Sequence, residues 1–440
     1  MSEQHHQSTS GAISRALAAA DKFSREELST YQRNQLEQLL RFAQVQAPFY
    51  KKRLSPLFRE HGVIDWSRWR DLPILTRADI KENGEAMMAK KLPKGHGPTS
   101  ESASSGTTGS PITVRTSYLM FVAGNAAFAR ACQWYGSTGN ERSCIVRSLS
   151  ALESLDRKSW AIGSDASGNI EGHKASRRLA VCNSWPPERL LSLMEQHGTT
   201  CLSGLSTTLE DVAEAQLKRP ANIKLKFMVG VSMALTERAR VLAREAFNAP
   251  AFSAYTSKEA HKMAHECPVS GRFHVNNELV LLEILDAAGN PCAPGETGRV
   301  IVTPLLSTAQ PLIRYEQGDL ATWGELCPCG RAHPTISRID GRIRNQFQFA
   351  GRRPLMPAIG HTPYRDLLKA EKWQVAQTGA LDIEVRFISS APDEAIDFTG
   401  LTQIYRKTFH EGLNVTYRRV ETMQLTAAGK FIDYVNEYVA

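Results

Sequence analysis

Between about residues 118 and 250 the chain alternates helical stretches with short apolar runs, and this alternation restricts its fold more than any other feature. LKFMVG, Leu225 to Gly230, has the length and apolar content of a buried strand. Thr236 then caps a helix through Phe247, and APAFSAY reads as the next strand. Strands separated by helices need crossover connections, which align neighbouring strands in parallel. Near residue 278 the character changes: ELVLLEIL and RVIVTPLL are paired strands joined by the turn-rich DAAGNPCAPGETG. Past a boundary at Asp340 and Gly341, the last hundred residues mix strands such as LDIEVRFI with an amphipathic helix. The expected fold class is α/β, with mixed sheets in a large unit over 16–340 and a small α+β unit over 341–440. Residues 22–54 show helical periodicity through Leu36, Leu39, Leu40 and Phe42, and the polar start, residues 1–15, reads as a disordered lead.

With 440 residues, 42% hydrophobic and 22% charged, the chain is globular and too long for one ordinary core. It has no apolar run of about 18 residues, so no membrane span is expected. The start lacks the charged-then-apolar order of a secretory signal, and a cytoplasmic protein is expected. The net charge of +8 is spread without a basic stripe or interleaved aromatics, which argues against a nucleic-acid partner. Eight cysteines in this length do not make a disulfide scaffold.

Four stretches carry chemistry. SSGTTGSP, Ser104 to Pro111, combines hydroxyls with glycines that let a backbone approach phosphate oxygens, although the same residues make ordinary loops. In AYTSKEA, Glu259 follows a strand end, where open α/β sheets bind ligands and a carboxylate can hold Mg²⁺. In RYEQGDL, Asp319 follows a glycine turn and can accept hydrogen bonds from a ribose. LTAAGKF sets Lys430 where its ammonium can reach an anion. An exposed helix start, a solvated turn and a surface lysine are, in that order, the plain alternatives for the last three. Separately, Cys267, His274, Cys327 and Cys329 supply three thiolates and an imidazole, enough for a closed structural Zn²⁺ site; reduced cysteines on a surface loop, or His265 or His333 as the fourth ligand, are the alternatives.

In this order the motifs resemble the adenylate-forming superfamily, and more closely its phenylacetate–coenzyme A ligase-like branch with the capsule-biosynthesis-type relatives. APFYKKRLS, LPILTRADIKEN, ECPVSGRFHVNNE, PLIRYEQGDL, CPCGRAHPTISRIDGR and WQVAQTGALDIEVR support it along nearly the whole chain. The resemblance implies a large N-terminal domain with a small mobile C-terminal lid. It implies an acyl-adenylate made from Mg-ATP and a small carboxylic acid, aromatic or aryl, followed by transfer to coenzyme A. Ser104, Ser105, Gly106, Thr107, Thr108 and Gly109 would cradle phosphates, and Tyr255 would lie against adenine. Asp319 would bind the ribose, Arg342 would assist there, Glu259 would hold Mg²⁺, and Lys430 would bridge the carboxylate and the α-phosphate.

The chain departs from that pattern at several positions. Ser110 stands where a loop lysine is usual, Lys258 precedes the metal-binding glutamate, and Ser232 replaces a glutamate near the adenine. Arg344 and Asn345 replace an acidic hinge. These departures keep three alternatives open: transfer to an acyl carrier protein, transfer to an amine, and a zinc-stabilised ATP-binding relative without activity. Arg338, Arg342, Arg344, Arg352 and Arg353 form a basic group that suits coenzyme A, a carrier protein or plain solvent. Phe121, Trp134 and Tyr135 fit helix core better than an acyl pocket, and a homodimer stays open.

Overall fold

The computed structural model describes residues 3–103, 112–147, 152, 155, 160–163, 170–172, 176–183, 185–231, 235–342, 347–349, 359, 361–424 and 432–438. The glycine loop Ser104–Gly109 with Ser110, together with Ser232, Arg344, Asn345, Arg352, Arg353 and Lys430, lies outside these residues.

The helices are α1 (Glu3–Ala20), α2 (Arg25–Gln46), α3 (Pro48–Arg53), α4 (Arg77–Met87) and α5 (Tyr118–Trp134). They continue with α6 (Pro187–His197), α7 (Ser206–Lys218), α8 (Glu237–Phe247), α9 (His361–Asp366) and α10 (Phe398–Thr408). A two-stranded ribbon, β1 (Thr99–Ala103) with β2 (Thr113–Ser117), flanks the glycine loop. Next come β3 (Ser143–Arg147), β4 (Ala161–Gly163), β5 (Ile170–Gly172), β6 (Arg178–Cys182), β7 (Cys201–Gly204), β8 (Phe227–Val231) and β9 (Ala251–Ser257). The large unit closes with β10 (His261–Glu266), β11 (Phe273–Val275), β12 (Val280–Leu285), β13 (Thr297–Pro304), β14 (Tyr315–Trp323) and β15 (Thr335–Arg342).

These thirteen strands, β3 to β15, form one mixed sheet in the order β12-β13-β14-β15-β11-β10-β9-β8-β7-β3-β6-β4-β5. The run from β4 through β6, β3, β7 and β8 to β9 is parallel, as the helix–strand alternation requires, and β10 to β15 pair antiparallel. Strand period explains how both faces of the parallel half are covered. On β8, Phe227 and Val229 point into the cluster holding Ala131 of α5 and Tyr135 just after it, and Met228 points into the layer of α6, α7 and α8. Helices α2, α3 and α4 bury Leu36, Leu39, Leu40, Tyr50 and Ile80 against the antiparallel half. Thr236 caps α8 by accepting from the Ala239 amide.

Beyond β15 a four-stranded sheet follows, built from β16 (Lys372–Gln377), β17 (Asp382–Ile388), β18 (Asn414–Arg419) and β19 (Tyr434–Asn436). Its order is β18-β17-β16-β19, and α10 packs Leu401 and Tyr405 into its own core. Lys372 reaches back to Asp211 on α7 at 2.5 Å.

Three expectations are corrected. The start is helical from Glu3, where a disordered lead was expected, because Ile13 and Leu17 recur four residues apart and pack on Ala126 and Ala127 of α5. Strand β15 runs through Arg342, so the large sheet extends two residues past the expected boundary at 340. Phe121 is 51% exposed and is not helix core, whereas Tyr135 is buried and stacks on Phe252 with centroids 3.9 Å apart.

Candidate functional site

The parallel strands end on one side of the sheet, and β9 ends there at Ser257 before the turn of residues 258–260 leads into β10. Open α/β sheets bind ligands at this edge. Glu259 sits in that turn and is only 3% exposed, so it is neither surface nor the start of a helix. The turn is braced by the Ala260 amide donating to Ser257 Oγ at 2.9 Å. No ion pair reaches the Glu259 carboxylate among the described residues, an arrangement that suits a cation.

Asp319 is buried within β14, where an exposed turn was the plain expectation. Gly318 has a φ of +79°, a conformation that costs glycine little, and the ladder to β15 shifts register just after Leu320. Tyr255 Oη donates to Asp319 Oδ2 at 2.7 Å across 64 residues of sequence. Both side chains are buried, and the backbone of Arg342 pairs with Asp319 in the strand register. The structure thus brings together Tyr255, Asp319 and the Arg342 backbone, with Glu259 four residues beyond Tyr255 in the following turn.

The arginine of the same motif has a different place. Arg314 is buried and donates to the carbonyls of Arg70 and Leu72 at 3.0 and 2.7 Å, and it pairs with Glu283 at 3.3 Å. It fastens the segment before α4 to the sheet.

Cys267, His274, Cys327 and Cys329 lie together in the structure. Cys267 follows β10, His274 lies in β11, and Cys327 and Cys329 come from the loop between β14 and β15. Their ligand atoms lie within 4.8 Å of one another. Cys267 Sγ and Cys327 Sγ are 3.6 Å apart, and His274 Nε2 is 3.1 Å from Cys329 Sγ. A tetrahedral Zn²⁺ with ordinary bond lengths separates two sulfurs by about 3.8 Å, which these positions fit. Burial pushes the His274 imidazole down to about 4, with His333 and Arg331 adding to the effect, so it is neutral at pH 7 as a ligand must be. His333 Nε2 instead meets Glu278 at 2.9 Å, and His265 Nδ1 lies 3.3 Å from the Asn276 amide, so His274 is the fourth member. The cluster and Glu259 lie at opposite ends of β10, about 20 Å apart along the strand by the usual rise per residue.

Sequence reasoning missed a buried network beside this cluster. Arg130 of α5 donates to Glu278 at 2.5 Å and to Asn276 Oδ1 at 3.0 Å. Burial opposes ionisation of Glu278, but Arg130 and His333 outweigh it and hold the carboxyl at about 2. Only proximity in the fold joins these residues, which are 148 apart in sequence.

No family model matches the chain. A phenylacetate–coenzyme A ligase from Thermus thermophilus is 25% identical over 357 residues, 74% of this chain and 73% of that protein. A 2-hydroxyisobutyryl-CoA ligase, solved in its postadenylation state with an acyl-AMP, superposes with a TM-score of 0.70 at 17% identity. That match covers 95% of this chain and 91% of the ligase. The chain has the adenylate-forming fold. Its sequence aligns with the phenylacetate–coenzyme A ligase-like branch, in agreement with the motifs. An o-succinylbenzoate coenzyme A synthetase from Bacillus subtilis, solved with ATP and magnesium, has a TM-score of 0.51 at 15% identity over 76% of this chain and 68% of its own.

Proposed function

We propose that this protein activates a small carboxylic acid as its acyl-adenylate and then forms the coenzyme A thioester. The observation that carries this is the buried Tyr255–Asp319 contact at the edge where the parallel strands end, with the buried Glu259 in the turn after β9. A carboxylate oxygen attacks the α-phosphorus of ATP; the new P–O bond forms as the bond to pyrophosphate breaks. The thiol of coenzyme A then attacks the acyl carbonyl and AMP departs.

Asp319, held in orientation by the Tyr255 hydroxyl, accepts from the ribose, and the Tyr255 ring lies against the adenine. Arg342 assists at the ribose or phosphate. Glu259 would hold Mg²⁺, which would offset the charge of the phosphates. Ser104, Ser105, Gly106, Thr107, Thr108 and Gly109 cradle the β- and γ-phosphates, and Lys430 stabilises charge growing between the carboxylate and the α-phosphate. The small C-terminal unit is the lid that brings Lys430 into place. Cys267, His274, Cys327 and Cys329 would hold a Zn²⁺ whose role would be structural, remote from the chemistry. Thiolate ligands of this kind accord with a reducing cytoplasm. No described helix is long and apolar enough to cross a membrane.

Coenzyme A is the acceptor favoured by the sequence relative, a coenzyme A ligase. An amide bond synthetase from Marinactinospora thermotolerans has a TM-score of 0.50 at 18% identity over 75% of this chain and 66% of its own. Mass spectrometry of products made with coenzyme A, an acyl carrier protein or an amine separates the acceptors: acyl-CoA supports this account, and an amide alone overturns its second step. Light scattering on the purified protein tests for a homodimer.

A further inference from the structure

An ion pair joins the small unit to the large one at a place where its opening costs little. In STTLEDVAEAQLK, helix α7, Leu209, Val212, Ala213 and Ala215 pack into the core against the sheet, and Asp211 is left on the outer face. The helix is tied down beside it. Glu210 accepts from the Thr236 hydroxyl that caps α8, and the Thr236 amide donates to Ser206 Oγ at 3.1 Å. Asp211 is thus a carboxylate on a rigid base, and it accepts from the Lys372 ammonium at 2.5 Å across 161 residues of sequence. The Lys372 and Asp211 side chains are 33% and 36% exposed, so water can solvate each when they part and no buried lone charge results.

Lys372 opens β16, and β16 holds the chain that follows Lys430. The Val375 amide donates to the Asp433 carbonyl at 2.8 Å, and Gln374 Nε2 donates to the Ile432 carbonyl at 2.9 Å. Val375, Ala376 and Gln377 pair in parallel with Tyr434, Val435 and Asn436 of β19. Trp373, next to Lys372, lies edge-on to the Tyr434 ring with centroids 5.3 Å apart. Paired strands that are also packed together move as one piece. Whatever fixes the start of β16 against α7 therefore fixes the segment that begins two residues after Lys430.

The arrangement of the two units says which step this contact serves. The 2-hydroxyisobutyryl-CoA ligase superposes with a TM-score of 0.70 in its postadenylation state but 0.58 in its thioesterification state, both at 17% identity over 95% of this chain. The units of this protein stand closer to the first arrangement, and the Asp211–Lys372 pair belongs to it. We propose that Asp211 and Lys372 are positioning residues for adenylation: their ion pair holds the small unit where Lys430 serves that step, and it opens when the unit turns for thioester formation. This rests on the adenylation reading and adds a contact that selects between its two steps. A contact made in one arrangement and absent from the other shifts the balance between them by its own strength and no more, which for a pair this exposed is about two- to fivefold.

A carbodiimide condenses a carboxylate with an amine where the two touch, so it should join Asp211 to Lys372 in an amide that peptide mass spectrometry identifies. Wild type, Asp211→Asn, Lys372→Met and the swap of Asp211→Lys with Lys372→Asp are then compared in the two half-reactions. Pyrophosphate exchange with phenylacetate, or with whichever acid wild type turns over best, should fall roughly two- to fivefold in each single variant at unchanged melting temperature. Thioester formation from the preformed acyl-AMP and coenzyme A should match wild type or exceed it, and the swap should recover exchange. Equal losses in both half-reactions, single variants that exchange at the wild-type rate, or a swap no better than either single variant would overturn the inference. Exchange in wild type without the cross-link would overturn it alone and leave adenylation standing. A cross-link in wild type that exchanges with no acid would refute the adenylation reading and the inference with it.

Discussion

Glu278→Gln removes the negative charge from the pair that joins α5 to the segment before β12, while keeping the size of the side chain. In the folded protein Arg130 is 4% exposed, so the substitution leaves a guanidinium facing a neutral amide in a place water hardly reaches. The Glu278 carboxyl lies at about 2 against an ordinary 4.5. At about 1.4 kcal/mol per pH unit this difference corresponds to about 3 kcal/mol of stability. Breaking a buried ion pair by removing one partner costs about 3–5 kcal/mol in general, which agrees. Because the folded pKa is depressed, this stabilisation is complete above the unfolded value of about 4.5 and disappears as pH falls through about 2. Urea unfolding followed by tryptophan fluorescence is a suitable assay, since the Trp134 ring lies 5.4 Å from the Arg130 guanidinium and 4.4 Å from that of Arg331. The variant should lose about 3 kcal/mol at pH 7, with the gap to wild type narrowing below pH 4. A loss under about 0.5 kcal/mol at pH 7, or a gap unchanged between pH 7 and pH 3, would refute the argument that Glu278 is charged and paired in the fold.

Protein purified without chelator should carry about one zinc per chain by mass spectrometry of the metal, and Cys329→Ser should lower both the zinc content and the melting temperature; metal-free wild type of unchanged stability would remove the zinc site. Glu259→Gln should slow pyrophosphate exchange on the order of 10²- to 10³-fold with the fold intact by circular dichroism, and near-normal exchange would release Glu259 from its role. Tyr255→Phe loses the 2.7 Å contact that orients Asp319, so the KM for ATP should rise roughly tenfold; an unchanged KM would make that contact incidental.

The parts legible in the sequence were those written in local pattern. Alternating helices and apolar runs gave the parallel half of the sheet, and the paired runs from Glu278 gave the antiparallel hairpin of β12 and β13. Cysteine spacing pointed to the metal cluster but left its histidine open among three, because only the fold carries His333 to Glu278 and brings His274 to Cys329. Asp319 looked like a turn residue because Gly318 precedes it, whereas the glycine accommodates an irregularity inside a strand. The first helix was hidden by its polar start, and its few apolar residues matter only because α5 offers Ala126 and Ala127 to meet them. Lys262 gave no signal either. In AHKMAHE it sits in an ordinary strand pattern, and only the approach of α5 at Gly124 and Phe128 covers it.

Acid-dependent ATP–pyrophosphate exchange, run without coenzyme A across aryl and alkyl mono- and dicarboxylic acids, tests the central claim most directly. Exchange that requires an acid and is lost in Lys430→Ala is the predicted result. Folded protein that binds ATP yet exchanges with none of these acids would contradict the account and favour an ATP-binding relative without the chemistry.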